Sequence, residues 1–253
     1  MEIFYISDIS EIKEENKKRV AALGFFDGIH KAHQKIIGSA VEAAEKGFIS
    51  AVITLDKSPK EYCGKTSEES LTPTKKNELL KNLGVDEVYY LEFNEKLQNL
   101  SAEEFINNIL KKLNVDKVFC GFDYRFGFKG LGTPDLIKDS GIEVTVLEKE
   151  KIGEEKISTT VLKEFVRKGE FSKYNEYTGR FYSISGLVVK GRQLGRTINF
   201  PTANLELYGK YLLPETNGVY ITKIKVNNNI YKSVTNIGYN PTVSDEKNKK
   251  FIE

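Results

Sequence analysis

The sequence predicts an α/β fold in its first two-thirds and a smaller all-β module after it. Three observations carry this. Short β-branched runs alternate with amphipathic helical patterns up to about residue 170, the spacing at which strands lie parallel beneath crossover helices. Strand-like runs and turns then take over, with no further long helical pattern. A chain of 253 residues can bury a real core and suits one large domain or two smaller ones.

The elements follow in order. RVAALGF reads as a strand and HKAHQKIIGSAVEAAEKG as a helix stopped by Gly47. FISAVITL is a second strand, TPTKKNELLKNLG a helix ended by Gly84, and VDEVYYLEF a third strand. SAEEFINNILKKLN opens with Ser101 and Glu104 in capping-box spacing and carries its apolar residues on one face. The strand VDKVFCGF, a glycine-rich loop, TPDLIKDSG and the strand IEVTVLE complete this part. The spacing predicts a parallel sheet covered on both faces. A last helix, STTVLKEFVRKGEF, precedes the change of pattern, and the boundary is placed near Phe171 to Thr178, giving domains 1–172 and 173–253. GVYITKIKVNNNIYKSVTNIGY reads as two strands joined by an Asn-rich hairpin turn.

The charge balance excludes several function classes. Lys+Arg number 38 against 36 Asp+Glu, a net charge of +2, which leaves no electrostatic footprint for nucleic acid or an anionic membrane. The basic runs KKNELLKNL and ILKKLNVDK are expected to be solvated helix faces. Cys63 and Cys120 lie far apart in no metal spacing, so no disulfide framework is implied, and Cys120, in an apolar run, is expected to be a buried small side chain. No signal-peptide layout and no membrane-spanning apolar stretch are seen, so the expected location is the cytoplasm.

His30 and His33 are the only histidines of the chain. They stand three residues apart, just after a strand and a glycine-punctuated turn, where a helix begins. In a parallel α/β sheet ligands bind at that carboxyl edge, and the unpaired N–H groups of a helix start favour anions. Two imidazoles on one face of a first turn can both reach a phosphate, while Gly24 and Gly28 let the backbone approach closely. One capping and one surface histidine would explain an isolated H-x-x-H equally well. The position of this pair at the expected anion site is what sets it apart.

The stretch GFFDGIHKAH, which holds both histidines, resembles the G-x-F-D-G-x-H-x-G-H signature of the flavin branch of the HxGH nucleotidyltransferases, specifically the amino-terminal module of the prokaryotic bifunctional riboflavin kinase/FAD synthetase family. Ala32 stands where that family has glycine. CGFDYRFGFKGLGT resembles the family's G-x-D/N-F-x-F-G loop, which puts Asp123 and Phe126 at flavin and metal-site positions. EKISTTVLKEF resembles the I-S-S-T-x-I-R segment, with Thr159 and Thr160 at the nucleotide-contacting pair and Lys163 in place of arginine, a change that keeps charge but loses the planar fork. In VITLDKSPKEY, Leu55 and Ser58 depart from the family's F-x-P-H-P.

The resemblance implies a Rossmann-like HxGH nucleotidyltransferase domain that joins FMN and ATP to give FAD and pyrophosphate. It implies nucleotide contacts at Gly24, Phe25, Gly28, Thr159, Thr160 and Lys163, with catalysis by His30 and His33. For the second module, TGRFYSISGLVVKGRQLGRTINFPTANL matches the riboflavin kinase signature, with Asn199 replacing a glycine. That match implies a six-stranded barrel transferring the γ-phosphate of ATP to riboflavin, with Gly191 and Gly195 over phosphate, Thr202 and Asn204 as hard oxygen ligands of Mg2+, and Glu253 as base for the riboflavin 5′-hydroxyl. Glu253 is also the last residue, and the expected barrel is therefore incomplete, with kinase activity weak or absent. Small-molecule substrates are the expected partners. A related adenylyltransferase acting on pantetheine phosphate or nicotinamide mononucleotide would share the histidines but lack GRTINFPTANL. A flavin-binding regulator that kept the fold and lost catalysis is the alternative from another class.

Overall fold

The computed structural model describes residues 1–44, 47–62, 64, 71–190, 202–209, 211–239 and 250–253, without the side chains of 60 and 61. By compactness the chain divides into one unit of Met1–Ser67 with Pro73–Ser158 and another of Glu68–Thr72 with Thr159–Glu253. This division falls before the last predicted helix rather than after it.

In the first unit the order is β1 (Glu2–Ile6), β2 (Arg19–Leu23), α1 (Lys31–Ala43), β3 (Ile49–Leu55), α2 (Pro59–Tyr62), α3 (Pro73–Asn82), β4 (Glu87–Leu91), α4 (Glu95–Gln98), α5 (Ala102–Phe105), β5 (Val115–Gly121), α6 (Pro134–Asp139), β6 (Glu143–Leu147) and a small hairpin of β7 (Lys151–Ile152) and β8 (Glu155–Lys156). Six strands form one sheet in the order β1-β4-β3-β2-β5-β6, and every pairing in it is parallel. The predicted parallel sheet is therefore present. The sequence reading missed β1, because Glu2–Ile6 sits in a polar surround at the chain's start; it pairs with β4 as an edge strand. All five residues of β2 and of β4 are buried, as strands covered on both faces must be. Alternate positions such as Ala21, Leu23, Ala51 and Ile53 join Phe105, Ile109 and Ile137 in a single apolar cluster.

Helix boundaries follow local chemistry. The side chain of Ser101 accepts from the Glu104 backbone while Glu104 reaches back to the Ser101 N–H, so the predicted capping box is formed. Beyond α5 the helix widens into a π-helical stretch over Ile106–Lys111. Gly84 has φ +86° just past α3, ending that helix as expected.

The amino ends of the strands are locked by a buried cluster. Arg19 Nε donates to Glu87 Oε2 at 2.7 Å, and Tyr89 Oη donates to the same oxygen at 2.7 Å. Arg19 Nη1 also donates to the Leu113 carbonyl at 3.0 Å. Burial, reinforced by the Glu87 carboxylate, holds the Tyr89 phenol well above its ordinary pKa.

The second unit contains α7 (Thr159–Lys168), α8 (Phe171–Thr178), β9 (Gly186–Val189), β10 (Asn204–Leu207), β11 (Gly218–Val226), β12 (Asn229–Tyr239) and β13 (Lys250–Ile252). Gly169, with φ +72°, breaks what the sequence suggested as one helix into α7 and α8. β9 pairs antiparallel with β10, and β11, β12 and β13 form an antiparallel three-stranded sheet. Asn227 and Asn228, at φ +47° and +68°, make the predicted two-residue hairpin turn between β11 and β12. Among the described residues these antiparallel sheets form the smaller β module that the sequence predicts after the parallel sheet.

Arg19→Met should strand the Glu87 carboxylate in the interior and lower unfolding free energy by about 3–5 kcal/mol, read by urea denaturation. Cys120 is fully buried, and burial pushes its thiol up to about 11. In a Cys63→Ser background it should resist an aromatic disulfide reagent at pH 8 until the chain is denatured, and rapid labelling of the native protein would contradict the packing.

Candidate active site

The sheet order places a topological switch at β2. From it the chain steps to β3 and β4 on one side and to β5 and β6 on the other, so the loops after β2 and β5 part at neighbouring strand ends, where α/β sheets bind ligands. Leu23 pairs with Cys120, which sets Gly24 and Gly121 side by side at that edge.

The loop after β2 holds an unusual backbone. Phe26, Gly28 and Ile29 have φ of +52°, +82° and +34°. For the two non-glycine residues such geometry costs about 1–3 kcal/mol each. Phe26 and Ile29 are each only 1% exposed, and burying side chains of that size returns about 1.5–3 kcal/mol apiece. The Phe26 ring folds back over Gly24, where an added Cβ would lie 2.9 Å from the ring carbons. Glycine at 24 is thus a steric requirement of the turn.

The loop delivers His30 to the start of α1. His30 is the N-cap residue: its Nδ1 accepts the His33 backbone N–H at 3.2 Å. A ring nitrogen that accepts carries no proton, so the His30 N–H lies at Nε2. The His33 ring stacks on His30 with centroids 3.6 Å apart and planes 21° apart, and Phe26 meets His33 edge-on at 5.3 Å. His30 is buried and His33 half-buried. His30 therefore caps the helix, and its ring also stacks on that of His33. Ala32, at the family's glycine position, is half-buried on the same turn.

On the other side of the switch, β5 runs into the Asp123 loop. Asp123 is exposed, 3.4 Å from Lys156 Nζ, and an added Cβ at Gly121 would sit 3.3 Å from an Asp123 oxygen and 3.7 Å from Ile36 of α1. The Asp123 loop and the histidine helix thus adjoin one another. Phe126 is placed differently from the expectation. It is buried in the core cluster, tilted against Phe105 at 4.9 Å and stacked on Tyr124 at 5.8 Å, so the described ring is a core residue rather than an open platform for a flavin. Its loop is pinned at Gly127, whose φ is +71° and where a Cβ would lie 2.9 Å from the Ala102 nitrogen.

The structure also supplies a residue the sequence reading set aside. Lys76 belongs to the run taken for a solvated helix face, and it is buried instead. It lies four residues before Leu80, and both face inward from α3. That shared face was the available signal. Lys76 Nζ donates to the Phe25 carbonyl at 2.8 Å and to Thr54 Oγ1 at 3.1 Å, while Thr54 Oγ1 donates to the Phe25 carbonyl at 2.9 Å. Of the two departures in VITLDKSPKEY, Leu55 packs against the core and Ser58 is buried.

In the second unit, Thr159, Thr160 and Lys163 lie on the first turns of α7, with Thr160 exposed and the other two half-buried. Thr202 Oγ1 donates to Glu253 Oε1, and the Glu253 backbone exchanges hydrogen bonds with Asn236 at 2.7 and 3.0 Å. Two residues that the sequence assigned to metal and base roles are thereby brought together, with Asn204 opening β10. Gly191 and Gly195 lie outside the described residues. Hydroxyl and carboxylate oxygens are hard donors of the kind Mg2+ accepts, and that ion takes few protein ligands when phosphates supply the rest. Among the described residues no group of three His, Cys, Asp or Glu side chains could hold a metal by itself.

Comparison with known proteins gives the family. Residues 12–161 match the FAD synthetase family model and residues 178–253 the riboflavin kinase model. The bifunctional riboflavin kinase/FMN adenylyltransferase of Bacillus subtilis is 39% identical over 244 residues, covering 93% of this chain and 77% of that protein. The protein of the same name from Listeria monocytogenes is 39% identical over 236 residues, covering 90% and 75%. A solved structure described as a macrolide-efflux protein from Streptococcus pneumoniae superposes with a TM-score of 0.90 at 29% identity, covering 99% of this chain and 83% of that one. Among the described residues no helix of the present chain is long and apolar enough to cross a membrane. The chain belongs to the bifunctional riboflavin kinase/FMN adenylyltransferase family, with its FAD synthetase segment ahead of its riboflavin kinase segment.

Proposed function

We propose that the first unit transfers AMP from ATP to FMN, giving FAD and pyrophosphate, and that the second phosphorylates riboflavin to FMN. The observation that carries the first half is the stacked His30–His33 pair at the mouth of α1, beside the carboxyl end of the sheet's central strand.

The chemistry suits that arrangement. An oxygen of the FMN phosphate attacks the α-phosphorus of ATP, a new P–O bond forms, and the bond to the β-phosphate oxygen breaks in line. The attacking oxygen is already anionic, so no general base is needed. What the protein must provide is alignment and positive charge or N–H donors where the transition state gathers negative charge. His30, with its proton at Nε2, and His33, held together at the amino end of α1, are that donor set. Gly24, Phe25 and Gly28 form the close-approach backbone beside it. Asp123 stands on the flavin side of the switch, with Phe126 holding its loop from below. Roles for Thr159, Thr160 and Lys163 at the nucleotide rest on the sequence match alone. When bound, Mg2+ would neutralise nucleotide phosphates, and in the second unit Thr202 and Asn204 are the oxygen donors that would hold it. Glu253 is the proposed base for the riboflavin hydroxyl.

The test is direct. With FMN, ATP and Mg2+, FAD should appear by chromatography, and His30→Ala and His33→Ala should each slow its formation by about 10²–10³-fold while FMN binding changes little. Binding of FMN with no FAD formed by the parent chain would turn the reading to a flavin-binding regulator. In a riboflavin and ATP arm, FMN should form and Glu253→Gln should abolish it. Absence of FMN there would remove the kinase half alone.

A further inference from the structure

We infer that Lys76 is a positioning residue for adenylyl transfer, a buried ammonium that fixes the nucleotide loop from beneath. The inference rests on the reading of the first unit given above. Burying an ammonium is costly unless its donors are used. Lys76 is 8% exposed. Its Nζ binds the Phe25 carbonyl and the Thr54 hydroxyl, and it lies 5.1 Å from the centre of the Phe25 ring and 5.2 Å from that of Tyr90, the distance at which an aromatic face attracts a cation.

The partners explain why a charge is kept there. Phe25 is the residue between Gly24 and the left-handed Phe26, and Thr54 stands near the carboxyl end of β3, the strand beside β2. The ammonium and the Thr54 hydroxyl converge on one carbonyl, Phe25 O. Two side-chain donors hold that carbonyl at the point where the chain enters its strained turn. Without them the peptide can rotate, the turn relaxes, and the His30 cap that it positions moves with it. A methionine has nearly the same length and would fill the space, but it offers neither donor nor charge. Lys76 therefore acts through the loop, and its role is separable from packing. Tyr90 completes the nest, its own hydroxyl fixed by Asn77 at 2.6 Å.

Three chains should be compared in full length: the parent, Lys76→Met and Lys76→Arg, with Thr54→Val as a milder change should Lys76→Met not fold. Hydrogen exchange of the peptide covering residues 20–34, measured without ligand, reads the loop itself. Kinetics of FAD formation read its consequence. Lys76→Met should raise exchange in the loop at least tenfold and lower kcat at least tenfold, with the KM for FMN within threefold of the parent. Lys76→Arg should recover part of both, and Thr54→Val should show the same pattern at smaller size. Unchanged loop exchange in Lys76→Met, or in Thr54→Val if that is the variant that folds, overturns the inference. So does loosened exchange with kcat within twofold of the parent. Failure of the parent itself to form FAD would remove the proposed reaction and with it the catalytic role, while loop exchange would still report whether Lys76 holds the turn.

Discussion

The first unit depends on a short stretch of backbone held where side-chain residues seldom go. Phe26 and Ile29 take left-handed conformations on either side of Asp27 and Gly28, and each offsets that cost by inserting a large side chain into the interior. The turn cannot unwind without exposing both. It is also tied at Phe25 to the neighbouring strand. The histidine pair, the helix start and the glycine at 24 are where they are because this turn is rigid. A stiff turn at a strand end is what a phosphate-transfer site needs, since a group that must meet a transition state cannot also be searching for its place.

The sheet gives that turn its setting. A fully parallel order with β2 near the middle puts the loops after β2 and β5 side by side, and the Phe26 ring fills the space that a side chain at Gly24 would need. The opposite end of the sheet is closed by Arg19, Glu87 and Tyr89. One rim is thus given to polar stability and the other to backbone strain. The same strands serve both ends, which is the usual division of labour in open α/β sheets.

Much of this was legible in the amino-acid pattern. The alternation of strand and helix, the capping box at Ser101 and the Asn-Asn hairpin are local signals, set by side-chain period and by conformations that few residues tolerate. The histidine pair was legible because two rare residues fell at a helix start. Lys76 was not, because a lysine in a run of lysines looks solvated until a third element covers it. Phe126 was misjudged for the converse reason: an aromatic ring in a glycine-rich loop reads as a platform, yet Phe105 and Tyr124 enclose it. β1 was missed since an edge strand of mixed polarity has no period of its own. Burial created by distant segments is the information a linear reading lacks.

The pairing of the strands bears on how the chain comes to life on a ribosome. β1 must wait for β4, and β2 gains its second neighbour only when β5 has been delivered. Such distant pairings are slow to form because their loop entropy is lost before any contact repays it. The histidine helix can take shape early, but the aspartate loop that adjoins it arrives roughly ninety residues later. During synthesis the histidine turn and the aspartate loop therefore exist in succession. The growing chain cannot bring them together until most of its first unit has left the exit tunnel.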